Sequence, residues 1–396
     1  SVTTKPVVTV GRFTSPDTMA SQIKRGVVDF IGAARPSIAD PFLPRKIEEG
    51  RLEDIRECIG CNICYTGDGL GTPIRCTQNP TMGEEWRRGW HPEFIAKKGS
   101  ESSVLVVGAG PAGLEATRAL GQRGYQVMLA EATRELGGRV IRESSLPRLG
   151  EWRRVRDYRL QQIEQMPNVE IFRESELSVD EVLSVGADHV VIATGAIWRA
   201  DGFGRSHPYP LDTLDPDANI LTPDDIMAGR MPDGPTVVYD DDSFYMGGVI
   251  AEKLRRANLP VVLVTPENVV SAWCEYTSEQ YQVQKNLLEL GVEIKTAQSL
   301  LAFNGYEVII SCTHTEHQQS IRADALIMVT ARQPNDGLYQ ALHHRMESEE
   351  QSLLHSLRRI GDCDAPAIIA AAVYSGHRYA RELDAKPDPN MRCRVE

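Results

Sequence analysis

The sequence predicts an α/β protein that joins the carboxyl-terminal end of a (β/α)8 barrel, a cysteine-rich segment and two Rossmann-like domains. Three observations predict this architecture. Two short βα units open the chain, four closely spaced cysteines follow them, and strand–turn–helix–strand units begin at residues 104 and 235. Strands that alternate with helices are typical of parallel sheets. Each part of the chain outside the cysteine-rich segment is therefore expected to contain a parallel sheet.

Composition limits the classes of protein to consider. The 396 residues exceed one ordinary core, so we expect two to three domains. A net charge of −12 argues against nucleic acid as a partner. No apolar run approaches the ~20 residues of a membrane span, and residues 1–20 lack the layout of a signal peptide. We therefore expect a cytoplasmic protein without a membrane partner.

Two strands near the start of the chain indicate part of a barrel. Residues 6–12 and 27–32 are apolar runs that predict buried parallel strands, and residues 16–26 between them predict a helix. Two strands cannot close a barrel. We expect the remaining strands to come from a longer polypeptide or, alternatively, from a second chain.

Glycine and arginine follow each of these strands, at Gly11 and Arg12 and again at Gly32 and Arg35. Backbone N–H groups left open by glycine, together with guanidinium groups, suit a phosphate dianion. A (β/α)8 barrel holds phosphate in the loops after its last two strands. A plain βαβ unit with surface arginines remains the alternative at this stage.

Four cysteines, Cys58, Cys61, Cys64 and Cys76, form the most specific motif in the chain. A 4Fe-4S cluster takes one cysteine sulfur on each iron. Three consecutive cysteines at x2 spacing wrap such a cluster, and the fourth closes it from beyond a loop. Gly60 permits a tight turn inside the motif. Zinc is the main alternative, but its sites usually pair two separate Cys-x2-Cys knuckles. A disulfide is disfavoured in a protein of this composition. The other four cysteines are scattered and predict ordinary thiols: Cys274, Cys312, Cys363 and Cys393.

Residues 104–116 read as a strand, a glycine turn and a helix. Gly108, Gly110 and Gly113 form the G-x-G-x-x-G turn in which a pyrophosphate lies against the helix N-terminus. The next strand ends in Glu131, whose carboxylate can bind ribose hydroxyls. The order of strand, turn, helix, strand and acid predicts a nucleotide site.

Three further residues are candidates for the same site. Gly138 and Arg139 offer a second close backbone approach to the nucleotide. Asp362, in a Gly-Asp turn near the end of the chain, is expected to return to the first Rossmann domain and face its nucleotide. A chance Gly-Asp turn is the alternative.

The second Rossmann-like unit has an abnormal turn. Residues 240–248 read DDDSFYMGG where a glycine turn belongs, although the flanking strands and helix are retained. Three carboxylates repel a pyrophosphate, and Phe244 and Tyr245 fill its space. We expect no dinucleotide here; the alternative is that the acids point into solvent.

Together these motifs resemble the trimethylamine and histamine dehydrogenase family of iron–sulfur flavoproteins. The resemblance runs through essentially the whole chain and is carried by ARPSIADPFLP at 34–44, CIGCNIC at 58–64, CTQNPTMGEEWRRGWHPE at 76–93, VVGAGPAGLEA at 106–116, LGEWRRVRDYR at 149–159 and IGDCDAPAIIAAAVYSGHR at 360–378.

The resemblance implies the fold and its cofactors. FMN would lie in the barrel, with its phosphate on Gly11, Arg12, Gly32 and Arg35. ADP, or FAD as the alternative, would occupy the first glycine turn. The catalytic groups are expected in barrel residues outside this chain, so the catalytic residues are unknown. The implied divisions are residues 1–53 (the last two βα units of the barrel), 54–98 (the 4Fe-4S segment), 99–222 with 345–396 (the ADP or FAD domain) and 223–344 (the degenerate second domain).

The resemblance also implies an activity. We expect oxidative deamination of a small, histamine-type amine, with electrons passing through the cluster to an electron-transfer flavoprotein that docks on residues 151–158. Trp152, Arg154 and Tyr158 are the candidates there, and a homodimer is expected. Asp68 stands where the trimethylamine enzyme has a tryptophan, and is a candidate for binding the imidazole of the substrate; the alternative is a plain loop residue.

Three other functions remain open from sequence. One is trimethylamine or dimethylamine dehydrogenation. Another is an NADPH-dependent ene-reductase of the 2,4-dienoyl-CoA reductase type, which requires a working second nucleotide turn. The third is a non-enzymatic electron-transfer or scaffold fragment that another chain completes.

Overall fold

The computed structural model describes residues 3–348 and 354–385. Its elements, in chain order, are β1 (Val8–Val10), α1 (Pro16–Lys24), β2 (Phe30–Gly32), α2 (Ala34–Ala39), α3 (Leu43–Glu48), α4 (Thr66–Leu70), α5 (Glu85–Arg88), β3 (Ser103–Val107), α6 (Pro111–Arg123), β4 (Gln126–Ala130), α7 (Arg139–Ser144), α8 (Arg154–Glu164), β5 (Val169–Phe172), α9 (Val179–Val185), β6 (His189–Ile192), β7 (Ala196–Trp198), β8 (Ile220–Leu221), α10 (Pro223–Met227), β9 (Thr236–Asp240), α11 (Tyr245–Arg256), β10 (Val261–Val264), α12 (Gln280–Glu289), β11 (Glu293–Lys295), β12 (Gln298–Phe303), β13 (Glu307–Cys312), β14 (Gln318–Arg322), β15 (Ala325–Val329), β16 (Arg332–Pro334), α13 (Gly337–Ser348), β17 (Ser356–Arg359) and α14 (Ile369–Glu382).

The chain divides into two compact units. Unit 1 is formed by Ser1–Ile141, Glu151–Gly195 and Asp336–Glu396, and unit 2 by Arg142–Gly150 and Ala196–Asn335. These divisions differ from those predicted at 222 and 344. The reason is strand pairing, since β7 pairs with β16 and β8 pairs with β15, which draws both short strands into unit 2. The barrel and cysteine segments cluster with the first Rossmann domain in unit 1.

The two opening strands form a parallel pair of their own. β1 pairs with β2 from Val8↔Phe30 to Val10↔Gly32. The prediction that both strands are buried is wrong, because Val8 and Val10 are 60% and 69% exposed and Phe30 is 58% exposed. A two-stranded sheet has too few neighbours to cover apolar side chains on both faces. Ser15 caps α1 as its side chain accepts a hydrogen bond from the Thr18 amide.

Unit 1 is centred on a five-stranded parallel sheet in the order β17–β6–β3–β4–β5. Its middle strand, β3, is buried on both faces, as expected of a parallel sheet covered by helices. Helix α6 packs against α14 so closely that a Cβ at Gly376 would overlap the carbonyl oxygen of Ala112. Gly376 is therefore required for the contact that brings α14 onto the nucleotide-turn helix.

Unit 2 has a second five-stranded parallel sheet, in the order β11–β10–β9–β15–β8. An antiparallel sheet, β12–β13–β14, adds its buried side chains to the same core through Leu300, Phe303 and Ile310. The retained Rossmann topology confirms the α/β prediction for this region. Within residues 3–348 and 354–385, no helix combines the length and the apolar character needed to span a bilayer.

Candidate metal centre and nucleotide site

The four cysteines of the motif meet around one small cavity. Gly60 and Asn62 adopt left-handed backbone conformations, with φ of +72° and +55°, and turn the chain between successive cysteines. The cavity is lined by the four thiols and by Arg35, Ile38, Ile59, Asn62, Thr77 and Gln78. The structure thus brings Cys76 back to the other three across the intervening loop.

The cysteines are half-buried, and their sulfurs contact few polar groups. The Cys61 sulfur lies 3.2 Å from the Thr77 hydroxyl, and the Asn79 amide donates to the Cys76 sulfur at 3.4 Å. Burial raises the pKa of Cys61 to about 12 and the pKa values of Cys64 and Cys76 to about 11. These three groups are therefore neutral thiols at pH 7, and their conversion to thiolate ligands requires a metal.

The donor set fits a 4Fe-4S cluster. The cavity is lined by four thiols, two isoleucines and no carboxylate, and every cysteine in the described ranges is a free thiol. Among the described residues, no three histidine, cysteine, aspartate or glutamate side chains are arranged to hold a single metal ion. A 4Fe-4S cluster needs a different arrangement of ligands from a single ion, because each of its four irons binds one cysteine sulfur.

The predicted phosphate-binding arginines lie against the cysteine segment. Arg12 donates from Nη1 to the Cys58 carbonyl at 3.1 Å, and a Cβ at Gly60 would lie 3.1 Å from Arg12 Nε. Arg35 donates to the Asn62 side chain at 2.5 Å. Gly11 and Gly32 lie at the carboxyl ends of the parallel strands, joined by a 3.3 Å backbone hydrogen bond. The arginines therefore link the barrel segment to the cysteine loop, and their role with FMN stays a prediction.

A buried ionic network connects the cysteine loop to the first Rossmann domain. Arg159, on α8, is fully buried and donates to both the side-chain and the backbone oxygen of Gln78, at 2.9 and 3.1 Å. Its Nε lies 2.8 Å from Glu115, which Arg118 also binds at 2.6 Å. Gln78 borders the cysteine cavity. This network was not predicted from the sequence, because nothing in the local pattern pairs residues on α6 and α8 with the cysteine loop.

Glu115 is the acceptor on which the network converges. Burial alone would raise its pKa, but Arg118 and Arg159 hold the pKa of this carboxyl well below its usual value. His377 on α14 contacts it at 2.8 Å through Nδ1 and accepts from Arg381 on Nε2. Burial lowers the pKa of His377 to about 4, so this histidine is neutral at pH 7.

The first glycine turn has the geometry of a phosphate cradle. Gly108 has φ of +102°, and a Cβ there would lie 2.5 Å from the Ala193 carbonyl. A Cβ at Gly113 would overlap the Gly108 carbonyl oxygen. The absence of a side chain at Gly113 therefore lets α6 pack closely against the end of β3. At Gly110, the N-cap of α6, a Cβ would meet no atom within 4 Å. The open space at Gly110 is where a pyrophosphate would approach the helix N-terminus.

The other predicted nucleotide residues surround this turn. Glu131 accepts from the Ala109 amide at 2.8 Å, which places its carboxylate at the turn. Gly138 has φ of +53°, and a Cβ there would lie 3.0 Å from the Gly110 Cα. Arg139 pairs with Asp362 at 2.6 Å. Both partners of this ion pair were predicted as nucleotide-site residues, but their binding to each other was not predicted.

The second turn is filled by its own carboxylates. Asp240 and Asp241 are 0% and 1% exposed, so the alternative in which these acids point into solvent is wrong for both. Burial, then Asp242 and Asp241, raise the pKa of Asp240 well above its usual value. A Cβ at Gly247 would overlap the Asp240 carboxyl, which therefore lies against α11, where a phosphate would approach.

The segment predicted as a docking patch is charged. Arg154 pairs with Glu57 at 2.5 Å and with Glu151 at 3.2 Å. Trp152 and Tyr158 were predicted as nearby aromatics, but they are 9% and 8% exposed and largely packed inside unit 1. Arg154 and Tyr158 border a groove of about 240 Å³ that Gln78 also lines. Asp68 belongs to α4, and its side chain lies outside what the structure describes.

Two family models match parts of the chain. Residues 1–54 match the NADH:flavin oxidoreductase / NADH oxidase family. Residues 102–212 match the pyridine nucleotide-disulphide oxidoreductase family. The first model covers the two opening βα units, and the second covers the glycine turn and the amino-terminal part of the first Rossmann domain, without β17 and α14. Both matches agree with the predicted order of a flavin barrel followed by a nucleotide-binding domain.

Relatives match the chain over nearly its whole length. Dimethylamine dehydrogenase of a Hyphomicrobium species is 40% identical over 97% of this chain and 56% of its own. The structure of histamine dehydrogenase from Rhizobium sp. 4-9 is 54% identical with a TM-score of 0.95, over 99% of this chain and 57% of its own. That of 6-hydroxypseudooxynicotine amine oxidase from Pseudomonas geniculata N1 is 46% identical with a TM-score of 0.92, over 97% and 57%.

The chain therefore spans a little over half the length of these relatives. All three act on amines by name, and their matches include the opening strands, the cysteine loop and both Rossmann-like units. The assignment of this chain to the trimethylamine and histamine dehydrogenase family, made from its motifs, is confirmed over the part of those proteins that it spans.

Proposed function

We propose that this chain serves an amine dehydrogenase of the histamine type, supplying its electron-exit path and its nucleotide domain. The observation that carries the proposal is the cavity in which four thiols meet beside Arg35, a residue that closely follows β2. Arg35 connects this cavity to the barrel segment, where a flavin would bind, and Arg159 connects it to α8 through Gln78. Similarity to histamine dehydrogenase and to dimethylamine dehydrogenase supports amines as the substrate class.

The proposed reaction removes two electrons and two protons from the C–H and N–H bonds of an amine, and water then converts the imine to an aldehyde and ammonia. Bound FMN would accept the electron pair, and a bound 4Fe-4S cluster would carry the electrons away singly. The four cysteines would hold the cluster, and Arg159 fixes Gln78 at the edge of the cysteine cavity. Arg12 and Arg35 join the barrel strands to the same loop.

The acidic second turn supports a dehydrogenase rather than an NADPH-dependent ene-reductase. Asp240 and Asp241 are buried in the turn, and the Asp240 carboxyl occupies the space against Gly247. A nicotinamide nucleotide would have to displace this carboxyl to reach the N-terminus of α11. We therefore propose that electrons enter from the amine and leave to an electron-transfer flavoprotein.

We propose that the partner flavoprotein docks where Arg154 meets Glu57. Glu57 directly precedes the cluster cysteine Cys58, so this ion pair lies beside the cysteine loop. The adjoining groove is lined by charged residues and by Gln78, which also borders the cluster cavity. Charge at such a surface sets the encounter rate between partners more than it sets final affinity.

Arg154→Glu is expected to slow reduction of the flavoprotein partner about tenfold at low salt, because it leaves three carboxylates together at the docking surface. Flavin reduction by substrate is expected to stay unchanged. Stopped-flow measurement of both half-reactions checks this. Arg345→Glu is the matched control, since Arg345 lies on α13 outside the docking segment, is 48% exposed and has its acidic neighbour Asp180 3.8 Å away. Equal partner rates in the Arg154 variant and the wild type would place docking elsewhere.

We propose ADP as the nucleotide of the first glycine turn. Gly110→Ala tests this, because a Cβ at Gly110 meets no protein atom within 4 Å but enters the space of a pyrophosphate. The variant is expected to fold normally and to lose most of its bound nucleotide, measured by acid extraction and chromatography. Gly337→Ala, which also has open space, is the control. ADP at the wild-type level, or extraction of a nicotinamide nucleotide, would contradict the assignment.

We propose that Asp68 binds the imidazole of histamine. An imidazole N–H donates to a carboxylate, whereas trimethylammonium has no comparable peripheral donor. Asp68→Asn is expected to lower kcat/KM for histamine about ten- to a hundredfold, which corresponds to the roughly 1.5–3 kcal/mol of a charge-assisted hydrogen bond. Iron content is expected to be unaffected. Unchanged histamine turnover in the variant, or a wild-type preference for trimethylamine, would leave only the family assignment standing.

A further inference from the structure

A second, larger cavity lies in unit 1, along the edge strand β17 and the carboxyl-terminal half of α14. Its volume is about 850 Å³, within the range of small-molecule sites. It shares no residue with the cysteine cavity or with the glycine turn. The proposed amine reaction assigns no role to this cavity.

Positive charge is concentrated in this cavity. Five arginines line it, against two carboxylates, in a chain whose net charge is −12. The five are Arg88, Arg358, Arg359, Arg378 and Arg381. Three of them form ion pairs: Arg359 with Asp336 and Asp364, Arg88 with Glu84 and Glu382, and Arg378 with Glu382. The two arginines that remain, held in one concave surface, attract anions and raise their local concentration.

The two carboxylates are already engaged. Glu382 accepts from Arg88 at 2.7 Å and from Arg378 at 3.0 Å. Asp384 accepts from the Tyr125 hydroxyl and from the Ser100 hydroxyl. Within the described ranges, neither acid is therefore left to neutralise the remaining arginines of the cavity.

Arg358 and Arg381 are the cavity arginines that have no carboxylate partner among the described residues. Arg358 lies on the exposed face of β17 and forms no ion pair with any described residue. Arg381 donates to His377 at 3.0 Å and to the His91 carbonyl at 2.6 Å, and both acceptors are neutral. Burial, then Arg118, lower the pKa of Arg381 to about 10, as expected for a buried cation with other cations nearby.

Neutral donors complete the lining. The Tyr379 hydroxyl is buried and forms no well-aligned hydrogen bond with the described residues. His189 and Ser356 face each other at 2.8 Å on the same wall. Guanidinium forks beside hydroxyl donors are the groups that proteins use for phosphates and carboxylates.

We propose that this cavity binds a small anion carrying two or more negative charges, of the polyphosphate or polycarboxylate class. Its concave shape favours a small molecule over a flat protein surface. The proposal is independent of the amine reaction, because it rests on residues outside the cluster and nucleotide sites.

Isothermal titration of the full-length protein with pyrophosphate, and separately with citrate, tests the proposal. Saturable binding of either probe is expected, and the tighter probe identifies the class of anion. Arg358→Glu is expected to weaken binding at least tenfold without affecting the fold, since Arg358 is exposed and pairs with no acid in the part of the chain that the structure describes. Arg378→Glu provides a second variant from the opposite wall. Arg173→Glu, an exposed position beyond β5 at the other edge of the sheet, is the matched control and is expected to bind as the wild type does.

Absence of saturable binding by both probes would overturn the proposal. So would binding that neither Arg358→Glu nor Arg378→Glu weakens, because the anion would then lie in another place. Amine oxidation is not measured in this experiment, so failure of the anion site is distinguishable from failure of the proposed dehydrogenase activity.

Discussion

Replacing Cys61 by alanine is expected to remove nearly all iron and sulfide from the purified full-length protein. The variant leaves one iron without its protein ligand, in a cavity where the Cys61 sulfur is replaced by no other donor and the Thr77 hydroxyl lies 3.2 Å from the position of that sulfur. A neutral hydroxyl is a poor substitute for a thiolate. Iron and sulfide analysis, together with the visible absorption of the cluster, measures the loss.

Cys312→Ala is the matched control for this experiment. Cys312 is a free thiol at the end of β13 in unit 2 and belongs to no group of cysteines. Its replacement is expected to leave iron and sulfide at the wild-type level. One zinc per chain and no sulfide in the wild-type protein would contradict the cluster assignment. That result would favour a zinc site, the alternative that the cysteine spacing leaves open.

Replacing Glu115 by glutamine is expected to destabilise the protein by about 3–5 kcal/mol, because it leaves the buried cations Arg118 and Arg159 without their counter-charge. This is a large fraction of the roughly 5–15 kcal/mol that stabilises a typical domain. Glutamine keeps the side-chain volume of glutamate, so the loss of stability would come from the lost charge and not from a cavity. Urea unfolding followed by tryptophan fluorescence measures the change.

Glu101→Gln is the control for this stability measurement. Glu101 pairs with Lys98 at the surface and its side chain is 90% exposed, so the loss is expected to stay within about 1 kcal/mol. If the Glu115 variant loses less than about 1 kcal/mol of unfolding free energy, solvent screens the charges of the network or its arginines rearrange. The network would then not be what holds α6, α8 and the cysteine loop together.

Local patterns predicted the parts of the fold that depend on local geometry. The cysteine spacing predicted that four thiols would meet, and the structure brings them to one cavity. The G-x-G-x-x-G spacing predicted a tight turn that leaves the helix N-terminus open, and at Gly110 a Cβ would meet no atom within 4 Å. In both cases a short run of sequence determines the backbone path, so no distant partner is needed.

Features that depend on distant partners were not predicted. Glu115, Arg159 and Gln78 lie on separate elements and meet only in the folded chain. The unit boundaries differ for the same reason, since β7 finds its partner in β16, far along the sequence. The burial of β1 and β2 was predicted from apolar composition alone, and composition does not say which neighbours will cover a strand.

The most direct test of the proposed amine dehydrogenase is anaerobic addition of histamine to the full-length protein, with trimethylamine and NADPH compared in parallel. Flavin absorbance and the electron paramagnetic resonance signal of a reduced 4Fe-4S cluster are recorded together. We expect histamine to bleach the flavin and the cluster signal then to appear, whereas NADPH is expected to do neither. Bleaching by NADPH alone, or flavin reduction by histamine without a cluster signal, would contradict the proposal.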